Sequence, residues 1–199
     1  MTAALRHGKG LNTEEGWCVT MNHAEIIQVA LAKGFCQAEI IETNKIIFDA
    51  AFRPYCEENL CGQYGANHSC PPDCGTPEQM KNKVLAYKKA LVVRTEWEIE
   101  DFSQTEKMRD AKASHNASMF RLIRNLHTAG HDGFMIGASS CMLCNPCKRI
   151  RGEVCPHPSM MYSCMAAYCI YVKKLAENCG MNYDYKDGIL PFFGMYVFH

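Results

Sequence analysis

The sequence predicts an α/β protein, a single layered α/β sandwich that carries two cysteine-rich metal-binding loops. Three observations predict it. Helix-capping signals alternate along the chain with short β-branched and aromatic runs. No repeat, linker or low-complexity stretch divides the 199 residues, a length that supports one ordinary core. Eight of the 13 cysteines crowd into two stretches of glycine, proline and small polar residues. One domain is expected over residues 1–199, with 1–20 as an N-terminal extension.

The elements follow in order. "MNHAEIIQVALAKG" predicts a helix with Asn22 as N-cap, Glu25 closing a capping box and Gly34 as the stop; Ile26, Ile27, Ala30 and Leu31 form its apolar stripe. "QAEIIE" and "KIIFDAAF" predict two strands joined as a hairpin around Thr43 and Asn44. After the first cysteine loop, "TPEQMKNKVLAYKKA" opens a helix with Thr76 as cap, Pro77 in the first turn and Gln79 closing the box. "ALVVRTEW" predicts a buried strand. Residues 104–129 predict the longest helix, with Met119, Ile123 and Leu126 on one face and Gly130 at its end. "GFMIGASS" predicts a strand leading into Cys141, and residues 159–178 a second long helix stopped by Gly180. "ILPFFGMYVF" predicts a closing strand, which Pro191 and Gly194 assign to an edge or a bulge.

Composition excludes some classes. With 21 basic and 21 acidic residues, bulk charge recruits neither nucleic acid nor a membrane surface. No segment approaches the roughly 20 apolar residues of a membrane span, and the first residues carry no apolar run of signal-peptide length. An odd cysteine count without a secretion signal points to a reducing cytoplasm, where clustered thiols are metal ligands rather than disulfides. So many oxidisable thiols also suit an anaerobic setting.

The chemistry lies in two constellations. In "CMLCNPCKRIRGEVCP", Cys141, Cys144 and Cys147 follow a C-x2-C-x2-C run, and Cys155 precedes Pro156. Bacterial ferredoxins use such a run for three ligands of a [4Fe–4S] cluster and a more remote Cys-Pro for the fourth. Zinc sites more often take two separated C-x2-C pairs. The second constellation, "CEENLCGQYGANHSCPPDC", holds Cys56, Cys61, Cys70 and Cys74 at less regular spacing. Its poor core predicts that metal orders it. A second [4Fe–4S] cluster is the favoured occupant, with zinc as the alternative, and Cys70 and Cys155 are the residues that two adjacent clusters would exchange.

The remaining candidates have plainer readings. Cys164, Cys169 and Cys179 fall at helical spacing among apolar residues and read as core, as do the isolated Cys18 and Cys36. His68 and His157 read as loop histidines or donors to cluster sulfur rather than ligands. Lys148, Arg149 and Arg151 are a solvated flank, or a basic rim that raises a cluster potential and docks an acidic redox partner.

The pattern C-x4-C-x2-YG…CPP-x2-GTPE, followed by "ALVV" and then by C-x2-C-x2-C…CP-x-P and a "SxMAAYxIxV"-like stretch, resembles a family of cysteine-rich predicted metal-binding proteins. These occur mainly in anaerobic bacteria and archaea and carry a domain-of-unknown-function label. The resemblance runs from about Ile40 to the C-terminus and rests on both cysteine blocks with Tyr64-Gly65 and Pro71-Pro72. It implies metal binding, with iron–sulfur centres as the expected kind, and brings no reaction. It also implies a tryptophan near His68 and a glycine at position 169, where this chain has Cys169.

No radical S-adenosylmethionine C-x3-C-x2-C run, dinucleotide fingerprint, phosphate loop or nucleophile elbow is present. Enzyme status is therefore open. The leading expectation is an iron–sulfur protein acting with a redox partner in electron transfer or redox sensing. A zinc-ordered interaction module and a cluster enzyme with one open iron are the alternatives.

Overall fold

The computed structural model describes residues 21–199, so the expected N-terminal extension and Cys18 lie outside the described residues. Its helices are α1 (His23–Ala32), α2 (Arg53–Glu57), α3 (Pro77–Leu85), α4 (Thr105–Thr128) and α5 (Val172–Asn178). Its strands are β1 (Gln37–Glu42), β2 (Lys89–Glu98), β3 (Gly133–Gly137), β4 (Ser163–Cys164) and β5 (Ile189–Phe198). They form one open mixed sheet in the order β1-β2-β5-β3-β4, with only the β3–β4 pair parallel.

The capping signals act where the sequence placed them. Asn22 Oδ1 accepts the Glu25 N–H at 3.0 Å and Glu25 Oε2 accepts the Asn22 N–H at 2.7 Å. Thr76 and Gln79 exchange the same pair of bonds at the start of α3. Each closes two donors that a helix N-terminus would leave open. Gly34 and Gly130 end α1 and α4 at φ of +94° and +80°, a conformation glycine adopts without penalty.

Alternation along β2 divides the core into two layers. Leu91 and Val93 pack with Ile26 and Ala30 of α1 and with Met119, Leu122 and Leu126 of α4. Ala90 and Val92 pack on the opposite face with Met80 and Val84 of α3 and with Leu175 and Ala176 of α5. The protein is thus an α/β sandwich, helices on both faces of the sheet.

Three elements differ from expectation. "KIIFDAAF" forms no hairpin strand. Thr43 Oγ1 donates to the Tyr87 carbonyl at 2.6 Å and starts a 3₁₀ turn, while Phe48 makes a lone bridge to Ile170. The partner of β1 is instead the distant β2, in antiparallel register from Gln37↔Arg94 to Glu42↔Lys89. The second long helix is not continuous either. Ser163 and Cys164 pair with Ile136 and Gly137, the chain turns through Cys169 at φ +54°, and helix begins only at Val172. Position 169, where the resemblance implies glycine, is thus left-handed, a conformation that glycine adopts without penalty.

The closing strand β5 is central, not an edge, and has an unbroken register with β2 from Lys89↔Phe198 to Glu98↔Ile189, so there is no bulge. Pro191 is tolerated because β3 pairs β5 only from Met195 to Phe198, which leaves the proline with no neighbour on that side. Gly194 is there for space, since a Cβ would lie 2.5 Å from His115 Nε2 on α4.

Candidate metal centre

The downstream cysteine loop leaves the end of β3 and is fastened from behind by α4. Asn116 Oδ1 accepts the Ala138 N–H at 3.0 Å, and its Nδ2 donates to Ser139 Oγ at 2.9 Å and to the Tyr162 hydroxyl at 3.2 Å. That hydroxyl accepts the Met142 N–H at 3.1 Å. Gly137 makes room for the arrangement, because a Cβ there would lie 2.6 Å from the Tyr162 ring. From this base the loop carries Cys141, Cys144 and Cys147 into one pocket that Cys155 also lines, together with Asn67, His68 and His157.

The two cysteine blocks are tied to each other. Asn67 Nδ2 donates to the Cys141 carbonyl at 3.0 Å, and the Cys141 N–H donates to Ser69 Oγ at 2.9 Å. Ser69 in turn donates to Asn67 Oδ1 from both its backbone N–H and its hydroxyl. His68 Nε2 donates to the Glu153 carbonyl at 2.8 Å while Nδ1 faces Asp73 at 3.6 Å, so both of its nitrogens are engaged by protein. Asp73 also pairs with Arg149, and Lys148 pairs with Glu153 at 3.1 Å. Of the three basic residues on the downstream flank, Arg151 is the one with no ion-pair partner among the described residues.

Of the upstream thiols, Cys74 packs against the core layer on the α3 and α5 side of the sheet. Cys56 projects from α2, Cys61 from the following turn, and Cys70 is buried. Burial, with the neighbouring Cys164 as the next cause, pushes the Cys70 thiol up to about 12 and the Cys56 thiol up to about 11. Burial likewise raises Cys74, Cys141, Cys164 and Cys169. Without metal these groups are neutral thiols, so metal binding must displace their protons.

The sequence reading set Cys164 and Cys169 aside as core. Cys164 packs with Cys74 against the core layer on the α3 and α5 face; it raises the Cys56 and Cys70 thiols as Cys74 raises Cys70, so both neighbour the upstream group. Cys169 is fully buried beside Arg53. No spacing rule announces Cys164, because the pairing of β4 with β3 delivers it. Cys36, expected in the core, is instead exposed and donates to the Arg94 carbonyl at 3.2 Å, whereas Cys179 packs against the sheet core.

Arg53 tests what this donor set could hold. Its side chain is buried, Nη2 donates to the Ala167 carbonyl at 2.9 Å, and Nη1 approaches Cys74 Sγ at 3.9 Å. Its Nε has no partner, and no carboxylate pairs with the guanidinium among the described residues. A buried charge left uncompensated costs several kcal/mol. A centre ligated by several thiolates is net anionic and would compensate it, so the residues present fit such a group. Among the described residues no three His, Cys, Asp or Glu side chains converge closely enough to grip a single metal ion, and the downstream thiols instead frame a pocket.

The family model described as "Predicted metal-binding protein (DUF2284)" matches residues 39–198, and the chain belongs to that family. No curated protein and no solved structure matches it. Among the described residues, no helix is long and apolar enough to cross a membrane.

Proposed function

We propose that this metal-binding protein holds two [4Fe–4S] clusters and moves or senses single electrons in an anaerobic cytoplasm. The observation that carries the reading is the common pocket lined by Cys141, Cys144, Cys147 and Cys155. A cubane spreads four ligands over four irons, so thiols that frame a pocket suit it. Cys56, Cys61 and Cys70 serve the upstream site, with Cys74 or Cys164 as the fourth ligand.

A bound cluster supplies a one-electron couple, and the chain sets how that couple behaves. Four thiolates leave no open iron, which favours outer-sphere transfer over substrate chemistry. Arg53 places a buried positive charge beside the upstream thiols and stabilises the more negative, reduced form. Leu143 and Met161 give the downstream pocket an apolar part of its lining. With Lys148 and Arg149 paired internally, attraction of an acidic redox partner falls mainly to Arg151.

Anaerobic purification followed by iron and acid-labile sulfide analysis tests the reading. The expected result is about eight of each per chain with broad visible absorbance. Stoichiometric zinc without sulfide would overturn it in favour of a metal-ordered interaction module.

A further inference from the structure

We propose that the two centres are coupled neighbours that meet at Ser69, so that an electron entering at one is passed to the other inside the chain. The inference rests on the iron–sulfur reading for the kind of metal. Its own argument concerns how closely the two cysteine blocks approach.

Ser69 immediately precedes Cys70. Its Oγ accepts the Cys141 N–H at 2.9 Å and lies 4.0 Å from Cys70 Sγ. Covalent geometry keeps the Cys141 nitrogen within about 4 Å of its own sulfur, so the Cys70 and Cys141 sulfurs lie at most about 11 Å apart. Asn67 fixes this approach. Its Nδ2 donates to the Cys141 carbonyl at 3.0 Å, and its Oδ1 accepts the Ser69 N–H and hydroxyl at 3.0 and 2.9 Å. Ser69 and Asn67 are 0% and 3% exposed, so protein rather than water fills the gap. A second observation agrees. Asn67 and His68 line the pocket framed by Cys141, Cys144, Cys147 and Cys155, so the upstream block supplies a wall of the downstream site.

Two consequences follow from that distance. Charge is felt across it: at about 11 Å and an effective dielectric of about 20, a unit charge at one site disfavours the next at the other by about tenfold. An electron also has a short route, from Cys70 over the Ser69 hydroxyl and one hydrogen bond to the Cys141 backbone. The step moves one electron. One centre is oxidised by one as the other is reduced by one, no bond forms or breaks, and no proton moves. The redox partner of the proposed function is the external donor or acceptor.

The test is EPR at half and full reduction, with iron and sulfide content and the upstream midpoint potential, on anaerobically isolated wild type, Cys144→Ser and Cys147→Ser. Fully reduced wild type should hold about eight irons and give a broadened, split signal from two interacting spins. Half reduction, or loss of the downstream centre in either variant, should leave a simple single-centre signal. Both variants should raise the upstream midpoint alike, by about 60 mV for each negative charge removed, which is the tenfold effect for a one-electron couple. Eight irons with two additive, non-interacting signals in wild type overturns the coupling and leaves the iron–sulfur reading standing, whether or not the variants fold. An unmoved upstream midpoint in the variants overturns it as well. Zinc without sulfide overturns both, since the chain then carries no electron.

Discussion

Asn116→Ala should destabilise the protein and loosen the downstream metal loop together. Asn116 is 2% exposed and makes three bonds, to the Ala138 N–H, Ser139 Oγ and the Tyr162 hydroxyl, at 3.0, 2.9 and 3.2 Å. Each is worth about 1 kcal/mol net. Ala138 and Ser139 are half-buried and recover part of their loss from water, while the small cavity left in α4 offsets that recovery. The sum is about 3 kcal/mol. For a chain of this size each kcal/mol moves Tm by roughly 2–4 °C, so a fall of about 6–12 °C is expected. The assay is thermal unfolding of the metal-loaded protein, with hydrogen exchange over residues 138–144. The exposed Ser114→Ala on the same helix serves as control and should stay within about 0.5 kcal/mol. A Tm within about 2 °C of wild type with unchanged exchange would refute the claim that α4 fastens the loop.

Three further outcomes are expected. Burial holds the His115 pKa down at about 3, against an unfolded value near 6.5; stability is therefore full above pH 6.5 and falls at lower pH by up to about 1.4 kcal/mol per unit, because only the unfolded chain binds the proton. A pH series of denaturant melts should show this acid slope shallower in His115→Gln, and equal slopes would contradict it. Gly194→Ala drives a Cβ to 2.5 Å from His115 Nε2 in the middle of the sheet and should cost about 1–3 kcal/mol by denaturant melt, where a neutral result would show that α4 can retreat. Ser69→Ala leaves the Cys141 N–H without its acceptor and should cost about 1–3 kcal/mol and speed iron loss on chelation, whereas Arg149→Ala removes only a surface pair and should affect chelation kinetics less.

Local signals were legible where the physics is local. Both capping boxes and the glycine stops follow from three-residue hydrogen-bonding geometry that no distant contact has to supply. The strand content of β1, β2 and β3 was legible from β-branched runs. What failed depended on partners far away in sequence. Pro191 looks like an edge marker because a proline cannot donate, yet only one side of β5 is open at that residue. Residues 161–175 carry apolar side chains at helical spacing, but β3 claims Ser163 and Cys164, and Cys169 takes a left-handed turn. The spacing of Cys141, Cys144 and Cys147 was legible as a ligand loop because one tight turn fixes their relation. Asn67, Ser69, Asn116 and Tyr162 are ordinary polar residues whose roles exist only once the blocks meet.

That meeting changes how the metal-binding region holds itself together. Judged from composition, each cysteine loop has too little apolar surface to order itself and depends on its own metal. In the fold, both backbone groups of Cys141 are held by Asn67 and Ser69, residues of the block that carries Cys61 and Cys70. Gly65 N–H to Pro71 O at 2.8 Å and Cys74 N–H to Cys70 O at 3.0 Å wind that block on itself before any ligand is counted. Cys141, the thiol that begins the downstream run, is therefore positioned by the upstream loop. Two loops sharing one set of hydrogen bonds behave as one cooperative unit. That unit sits at the end of β3, where the sheet gives both loops a common rigid base.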